Sequence, residues 1–259
     1  MLKHCLFGLI LILIVVGAAS AQPQWNGFYA GGNLGAALGR STANTKSEFD
    51  SASGGYFSAS SVQALEVNGR QKLSDNGFTG GLEAGLQSQA GSFVFGGEAD
   101  YESFRLNGTQ SSTVPYPCCT GTGFTLDQSF KTTWLFTARP RAGFAMGSAL
   151  IYATGGLAVT KVDFQAQFSD TYAAATESAS VNKTRYGWVG GFGVAFRGLA
   201  EHLSLKGEYL YADFGRLTMT SSNLQAFVPP IAIPSNPFTH SMALHGHVIR
   251  AGVDYHFGE

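Results

Sequence analysis

Charged side chains recur at every second position in several short segments of this sequence. Alternate residues of a β-strand point to the same face, so charges at this spacing would share one surface. They include both signs in similar number: Glu83, Glu98, Asp100, Glu102, Arg139, Arg141, Lys206, Glu208, Arg250 and Asp254. If that surface is enclosed, the charges must pair across it, because an unpaired buried charge is costly. The pattern then predicts a hydrogen-bonded salt-bridge network.

Serine and histidine residues could in principle support nucleophilic catalysis, which needs a nucleophile next to an oriented base. Ser204 with His202, and Ser241 with His245, are the candidate pairs. Both residue types are common, and no nucleophile-elbow motif surrounds either serine. We therefore predict no catalytic residues and a protein that is not an enzyme.

Two further groups could bind a metal or react. His240, His245 and His247 lie close together in sequence, and the last two could offer imidazoles to a metal or to heme, although unliganded polar histidines are the favoured interpretation. Cys118 and Cys119 are adjacent, and oxidising surroundings permit a vicinal disulfide or pairing between chains. A CxxC spacing is absent. We predict no cofactor and no metal site.

Strands of alternating polarity must position these residues. The segment from Gly77 to Glu102 is predicted to be a hairpin of two strands, with Phe78, Leu82 and Leu86 on its apolar face. The same period-two pattern predicts six more strands. They are Trp25–Leu38, Thr133–Ala145, Ala149–Thr160, Arg185–Phe196, Leu203–Asp213 and His247–Phe257. Pro140 is the weakest point, because proline removes a ladder donor.

Long and short connections alternate along the chain. Long segments, at 39–76, 103–131, 161–183 and 215–246, follow the odd-numbered strands, and short links follow the others. This rhythm is typical of a transmembrane barrel, and the strand lengths match the roughly 9 to 11 residues needed to cross a membrane. We predict an all-β, eight-stranded antiparallel up-and-down transmembrane β-barrel with four long extracellular loops and three short periplasmic turns. A soluble sheet with ten solvated charges is the alternative.

Composition and the amino terminus narrow the class. Charged residues make up 13% of the chain, against roughly 25% in ordinary soluble domains, and the formal net charge of -1 argues against nucleic-acid partners. Lys3, the apolar run from Leu6 to Val16 and the small residues at 19–21 predict a cleaved signal peptide at 1–21. The barrel domain is then expected at 22–259. Aromatic residues near predicted strand ends, from Trp25 to Phe257, are typical of membrane interfaces.

Four segments in order carry a family resemblance: Trp25–Gly35, Tyr152–Ala158, Leu205–Gly215 and Arg250–Phe257. Together they resemble the small eight-stranded outer-membrane proteins of alphaproteobacteria, often called porin family or outer membrane immunogenic proteins, which share the barrel of outer membrane protein A. The resemblance implies a bacterial outer-membrane location and assembly by the barrel-assembly machinery. It makes Tyr255 and Phe257 the C-terminal insertion signal. It also implies roles in envelope integrity and surface antigenicity, with adhesion or heme binding in some members.

Three function classes stay open on the sequence. The first is a structural and surface-interaction barrel, plugged by its own charges, whose loops contact lipopolysaccharide or a host surface. The second is a small pore for ions or small solutes. The third is a heme or metal receptor that uses His240, His245 and His247. We favour the first, with both termini in the periplasm.

Overall fold

The computed structural model describes residues 25–48, 55–198 and 200–257, which contain eleven strands and one helix. The strands are β1 (Gly27–Ser47), β2 (Arg70–Ala90), β3 (Phe93–Phe104), β4 (Asn107–Pro115), β5 (Gly123–Met146), β6 (Ala149–Asp170), β7 (Thr176–Arg197), β8 (Leu203–Ser221), β9 (Gln225–Ala226), β10 (Ile231–Ala232) and β11 (Phe238–Phe257). The helix is α1 (Ala59–Asn68). The predicted signal peptide at 1–21 lies outside the described residues.

Eight strands close into an antiparallel barrel, which confirms the predicted fold class. The wall runs β1, β2, β3, β5, β6, β7, β8, β11, and β11 pairs with β1 to complete the circle. The predicted count of eight is exceeded because β4 continues the line of β3 along β5 and because β9 and β10 form a small hairpin. Pro140 does not end β5, but the backbone pairing with β6 is interrupted there, because Arg139 and Pro140 have no paired residues on β6.

Tight turns join the strands at the end predicted to be periplasmic. The turn between β2 and β3 contains Gly91 at φ 63°, and the turn between β5 and β6 contains Gly147 at φ 61°. Glycine adopts this left-handed conformation without steric cost. The third connection, between β7 and β8, includes residue 199, which is outside the described part of the chain.

The four long predicted loops need correction, because most of their residues belong to strands. β1 extends to Ser47, β6 extends to Asp170 and β11 begins at Phe238. The connections that remain between strands at the end predicted to be extracellular are shorter than the predicted loops. The connection between β1 and β2 contains α1. The barrel wall therefore continues well beyond the predicted membrane band.

Partway along the wall, the outer face of the strands changes from apolar to polar and the inner face changes from polar to apolar. β6 illustrates this change. In its first half the outward residues include Ile151 and Leu157, which are exposed, whereas Tyr152 is buried inside. In its second half the outward residues are Lys161, Asp163, Gln165, Gln167 and Ser169, and the inward residues are Val162, Phe164, Ala166 and Phe168. The alternation keeps its phase while its polarity reverses. Strand segments with polar outer faces are suited to water, and those with apolar outer faces are suited to lipid.

An apolar core fills the interior of the barrel from the upper part of the predicted membrane band upward. It contains buried side chains from every barrel strand: Ala37, Ala43, Leu73, Phe104, Leu106, Phe130, Leu135, Ala158, Val162, Phe164, Ala166, Val189, Leu210, Ala212, Phe214, Leu217, Met242, Leu244 and Val248. A second cluster continues it toward the end of the barrel that is predicted to be extracellular, where Phe57 and Leu65 join inward residues such as Phe124, Phe168 and Phe238. The segment that carries α1 therefore covers this end of the barrel.

We call the segment that carries α1 the extracellular cover. The carboxylate of Asp170 holds it in place through hydrogen bonds. The hydroxyl groups of Tyr56 and Tyr116 donate to Asp170 Oδ2 at 2.5 and 2.9 Å. Asp170 Oδ1 accepts from the backbone N–H groups of Ala173 and Ala175 at 3.3 and 2.9 Å. A single side chain at the end of β6 thus joins three extracellular connections.

The extracellular wall has an open seam between β7 and β8. Their backbone pairing ends at Trp188 and Asp213, and above that point no backbone pair joins Glu177–Gly187 to Phe214–Ser221 in the described residues. Side chains cross the gap instead: Arg185 Nη2 donates to the carbonyl oxygens of Phe214 and Arg216 at 3.1 and 2.9 Å. A second interruption lies between β2 and β4, because the backbone pairing of β2 with β3 ends at Thr79 and Phe104 and β4 pairs only with β5 among the described residues.

Among the described residues, none of the helices is both long and apolar enough to cross a lipid bilayer.

Replacement of the core residue Phe164 by alanine should loosen the extracellular part of the barrel. Loss of a buried phenylalanine typically costs about 3 to 5 kcal/mol, whereas Gln165→Ala, on the outer face, should change stability by less than about 0.5 kcal/mol. Trypsin digestion of the protein refolded in liposomes measures this. We expect slow cleavage at Lys161 and Lys183 in the unchanged protein and in Gln165→Ala, and faster cleavage in Phe164→Ala. Rapid cleavage of the unchanged protein would mean that 161–183 is a loop.

Candidate functional site

The ten charged residues predicted for the lumen lie together inside the lower half of the barrel. None is more than 5% exposed. They come from β2, β3, β5, β8 and β11, so the contacts among them join strands that are distant in sequence. The network occupies the level of the wall whose outer face carries exposed apolar residues such as Leu82 and Ile249.

Arg250 on β11 is the centre of one half of this network. Its Nη2 lies 2.6 Å from Glu208 Oε2 and 3.2 Å from Asp100 Oδ2, and its Nη1 lies 3.2 Å from Glu102 Oε2. Its Nε also donates to Glu208 at 2.9 Å. One guanidinium thus bridges β3, β8 and β11, and its fixed fork geometry suits several carboxylates at once.

Glu98 on β3 is the centre of the other half. Its carboxylate lies 2.6 Å from Arg139 Nη2, 3.2 Å from Arg141 Nη1 and 2.9 Å from Lys206 Nζ. Arg139 links the two halves, since its Nη2 also lies 2.7 Å from Asp100 Oδ2. The charges therefore form one connected set rather than separate ion pairs.

Lys206 connects the remaining two acids. Its Nζ lies 2.7 Å from Glu83 Oε2, and Asp254 interacts with both Lys206 and Glu83. Six carboxyl groups and four cationic groups thus share the enclosed space. Such a network stays buried only if its geometry satisfies most charges, because desolvation costs several kcal/mol per ion.

Uncharged residues also join the network: Thr137 donates to Asp100 at 2.7 Å, and three more that the sequence analysis did not select make further contacts. Tyr29 accepts from Arg141 at 2.7 Å and donates to Glu98 at 2.8 Å. Tyr152 donates to Glu208 at 3.1 Å, and its ring lies 3.9 Å from the Arg141 guanidinium carbon. Asn33 donates to Glu83 at 3.0 Å. Tyr29, Tyr152 and Asn33 all occupy the polar face of their strands, and this position in the alternating pattern is the sequence signal that could have identified them.

The periplasmic end of the lumen is closed by an apolar cluster of Trp25, Val94, Ala145, Leu150, Tyr152 and Ala195. Trp25 was predicted to belong to an interfacial aromatic belt, but it is buried beside His256 and Arg197. Tyr255 and Phe257 do face outward, 45% and 50% exposed, with ring centroids 4.9 Å apart. Their role as an insertion signal stays a prediction.

A polar layer also interrupts the apolar core above the lumen. His240 Nδ1 lies 2.8 Å from Thr45 Oγ1, and His240 Nε2 lies 3.3 Å from Glu177 Oε1. Gln128 donates to Thr45 at 2.6 Å, and Ser221 donates to Glu177. These contacts join β1, β5, β7, β8 and β11, and His240 and Glu177 are both buried. The layer fixes the upper strands to one another.

The three histidines considered for metal or heme binding do not converge. His240 faces inward, whereas His245 and His247 are partly exposed on the outer face, where their Nδ1 atoms lie 3.0 Å from the Tyr211 hydroxyl and 2.8 Å from the Tyr209 hydroxyl. Adjacent strand residues point to opposite faces, so His240 cannot join the other two at one ion. The described part of the chain contains no cluster of three or more His, Cys, Asp or Glu residues suited to a metal.

The candidate serine–histidine pairs are not assembled either. Ser204 Oγ lies 2.9 Å from Nε2 of His256, not of His202, and both Ser204 and His256 are buried at the periplasmic end. Ser241 and His245 are four residues apart on one strand, a separation of about 13 Å. Neither arrangement presents a nucleophile and base to a substrate.

Cys118 and Cys119 form a vicinal disulfide in the connection between β4 and β5. Ser61 of α1 lies 3.6 Å from Cys118 Sγ through its hydroxyl oxygen. The disulfide therefore belongs to the cover of the extracellular end, where it borders the helix.

Burial and a neighbouring carboxylate shift the pKa values of the two tyrosines that fasten the cover. Removal from water raises the pKa of Tyr56 and of Tyr116 well above 10, and the negative charge of Asp170 raises both further. Both hydroxyl groups therefore remain protonated donors at neutral pH.

Comparison with known proteins identifies the architecture. A family model described as outer membrane protein beta-barrel domain matches residues 7–257. Among solved structures, the outer membrane protease OmpT of Escherichia coli is similar at 9% identity and a TM-score of 0.44, covering 92% of this chain and 99% of its own. Neisserial surface protein A gives 13% identity, a TM-score of 0.37 and coverages of 89% and 97%. Ail of Yersinia pestis is similar at 11% identity and a TM-score of 0.27, and the match covers 85% of this chain and 98% of Ail. No curated protein matches the chain.

Removal of the Arg250 side chain should strongly destabilise the barrel. Arg250→Ala leaves buried carboxylates without their main cation, and such a loss typically costs about 3 to 5 kcal/mol. Arg216→Ala, which removes an exposed arginine of β8, should cost less than about 0.5 kcal/mol. Urea unfolding of the protein in lipid vesicles measures both values. Equal effects of the two replacements would contradict a stabilising network.

The extracellular cover should loosen above about pH 10. A group whose pKa is raised by folding stabilises the fold below its unfolded pKa, about 10 for tyrosine, and loses that contribution as pH rises further. Subtilisin cleavage within the α1 segment, followed from pH 8 to 11, should therefore accelerate at alkaline pH. Asp170→Asn should be cleaved faster already at pH 8, with a flatter pH profile. Asp127→Asn, on the outer face of β5, should behave like the unchanged protein.

Proposed function

The chain belongs to the outer membrane protein beta-barrel domain family, and from that premise we propose a closed, non-enzymatic barrel that supports the bacterial outer membrane and presents a rigid extracellular surface. The observation that carries this proposal is the filling of the barrel interior. An apolar cluster, the charge network, the apolar core and the helical cover follow one another along the axis.

This filling favours a structural barrel over a small pore. An eight-stranded barrel has an interior just wide enough for side chains to fill. Here the charged residues contact one another across the lumen, and rings such as Phe104, Phe130 and Phe214 are fully buried directly above them. Ions crossing this path would have to pass through both a dense ionic network and an apolar layer.

The placement of side chains also supports the structural role over heme binding or catalysis. His240 is separated from His245 and His247 by the barrel wall. His256, which lies beside Ser204, is buried near the periplasmic end. Neither set offers an open site to a ligand or a substrate.

The proposed partners follow from the outer surface. A band of outward side chains, including Leu34, Leu82, Phe192 and Val253, is 45% to 74% exposed and would contact lipid. Lipopolysaccharide would surround the wall above this band, and the extracellular cover would meet host or neighbouring surfaces. We further propose export through a signal peptide at 1–21 and insertion by the barrel-assembly machinery, with Tyr255 and Phe257 in the C-terminal signal.

Planar-bilayer recording tests the closed state. We expect no discrete conductance steps from the refolded protein under conditions in which a general porin conducts, because the lumen is filled. Reproducible steps that change when Phe104, Phe130 and Phe214 are all replaced by alanine would place the current inside the barrel and would overturn the proposal.

A further inference from the structure

A gap separates β2 from β4 in the upper wall. The backbone pairing of β2 with β3 ends at Thr79, and among the described residues β4 pairs only with β5. Gln110 lies on the inward face of β4 together with the buried Gly108, but Gln110 is exposed, which shows that the gap is open to solvent. We call this opening, between residues 70–78 of β2 and the whole of β4, the β2–β4 gap.

The hydrogen bonds between β4 and β5 show which backbone groups face the gap. Antiparallel neighbours alternate between residue pairs that exchange backbone hydrogen bonds and pairs that do not. At one end of the ladder, Thr132 N donates to the Leu106 carbonyl oxygen at 2.9 Å. At the other end, Tyr116 N donates to the Thr122 carbonyl oxygen at 3.0 Å. The even-numbered residues of β4 therefore bond to β5, and the odd-numbered residues direct their N–H and C=O groups toward β2.

Three odd-numbered residues form the free edge of β4: Thr109, Ser111 and Thr113. Their neighbour Asn107 confirms the direction, because its backbone N–H donates to Asp75 Oδ2 on β2 at 2.6 Å. No backbone pairing joins the three residues to β2 within the described part of the chain. Strand edges are usually protected by charged side chains or bulges, but β4 contains no charged residue. Its edge is therefore open to a further strand.

Two observations distinguish this edge from the seam between β7 and β8. Side chains of the protein already cross the seam, since Arg185 and Asn223 reach carbonyl oxygens on its opposite side. At the β2–β4 gap, the buried Gln71 donates to the Leu126 carbonyl oxygen of β5 at 3.2 Å, so β2 and β5 are in contact inside the wall while the free edge of β4 is exposed. A strand added to β4 would thus lie on the outer surface without entering the lumen.

Positive charge surrounds the outer side of the gap. Arg70 and Lys72 are exposed on β2, opposite Asn44 and Thr42, which also lie on the outer face of the wall. Arg105 is exposed between two buried residues just before β4, so it points outward as well. None of these three cations forms an ion pair within the described ranges. The gap therefore favours a negatively charged occupant.

The other charged residues near the gap do not cancel this positive charge. Asp127 and Lys131, on the outer face of β5, have opposite signs. Glu66 lies 3.4 Å from Lys46, and Asp75 accepts from a backbone N–H of β4. The net charge beside the free edge of β4 is positive.

We propose that the free edge of β4 binds an extended acidic segment of a partner polypeptide as an additional β-strand. Thr109, Ser111 and Thr113 supply the backbone hydrogen bonds, and Arg70 and Lys72 contact carboxylates on the outer face of the added strand. In strand addition, backbone hydrogen bonds give affinity and side chains give specificity. The inference rests on the proposed surface role and names the class of partner for it.

Fluorescence anisotropy with a labelled peptide tests the edge. The probe is a nine-residue peptide of alternating valine and glutamate, which matches the length of β4 and whose valines favour an extended strand. The refolded protein in neutral detergent is compared with Ser111→Pro, which removes one free-edge N–H outside the β5 ladder, and with Ser111→Ala, which keeps it. We expect roughly tenfold weaker binding to Ser111→Pro, because a hydrogen bond is lost and the ring obstructs the edge. Ser111→Ala should bind within about twofold of the unchanged protein, and equal binding to all three proteins would overturn the inference.

Methylated peptides test the same contact without changing the protein. Consecutive N–H groups of a strand point to opposite edges, so N-methylation of every valine blocks one edge of the peptide and N-methylation of every glutamate blocks the other. We expect at least one of the two methylated peptides to bind roughly tenfold more weakly than the parent peptide. Undiminished binding of both would exclude backbone pairing and overturn the inference.

A pair of matched double variants tests the charge. Arg70→Gln with Lys72→Gln removes two cations beside the gap, and Lys161→Gln with Arg216→Gln removes two exposed cations on β6 and β8. We expect the first double variant to bind the acidic peptide at least roughly threefold more weakly, the effect of two exposed ion pairs. The second should bind within about twofold of the unchanged protein, because distant charges are screened. Equal weakening by both would reveal general charge attraction and overturn the site.

The outcome is separable from the test of the closed lumen. Heat-modifiable gel migration of each variant confirms that it has folded before binding is measured. A second copy of the chain as the occupant would appear as a dimer that Ser111→Pro separates into monomers, and this would overturn the acidic partner. Conductance through the barrel would overturn the proposed function and leave the edge of β4 intact. A folded, non-conducting barrel that does not bind the peptide would overturn the inference alone.

Discussion

Each barrel strand has an inner and an outer face. The outer face contacts lipid at the lower level of the wall and water at the upper level. Lipid at the lower level requires an apolar exterior, so the polar side chains of the strands turn inward. Water at the upper level requires the opposite. β6 satisfies both requirements without a change of register, because Ile151 and Lys161 share its outer face while Tyr152 and Phe164 share its inner face. Most of the architecture follows from this exchange of chemistry along a continuous wall.

The charged layer and the apolar layer stabilise the barrel by different means. Buried ions gain from pairing what they lose in desolvation only when the geometry is good, and Arg250 and Glu98 achieve this by each contacting several partners. The apolar layer above gains from the removal of surface from water. Together they fill the interior formed by the described residues, which supports the proposed structural role.

The end of the barrel predicted to be extracellular combines a firm cover with two lines that lack backbone pairing, one between β7 and β8 and one between β2 and β4. Asp170 ties the connections that carry Tyr56 and Tyr116 to the end of β6. The seam between β7 and β8 lacks backbone pairing, and Arg185 partly compensates by bridging it. An unpaired edge in a soluble sheet invites association with other chains.

The sequence alone determined the closed antiparallel barrel and the residues of its charged interior, because period-two alternation with charges on one face is a local property of each strand. It did not determine where the strands end. The residues at 161–170 alternate as strictly as those before them, but with small and polar residues outside they were interpreted as a loop. Tertiary structure decided which carboxylate meets which cation, the separation of His240 from His245, and the seam, since each depends on strand register and barrel closure.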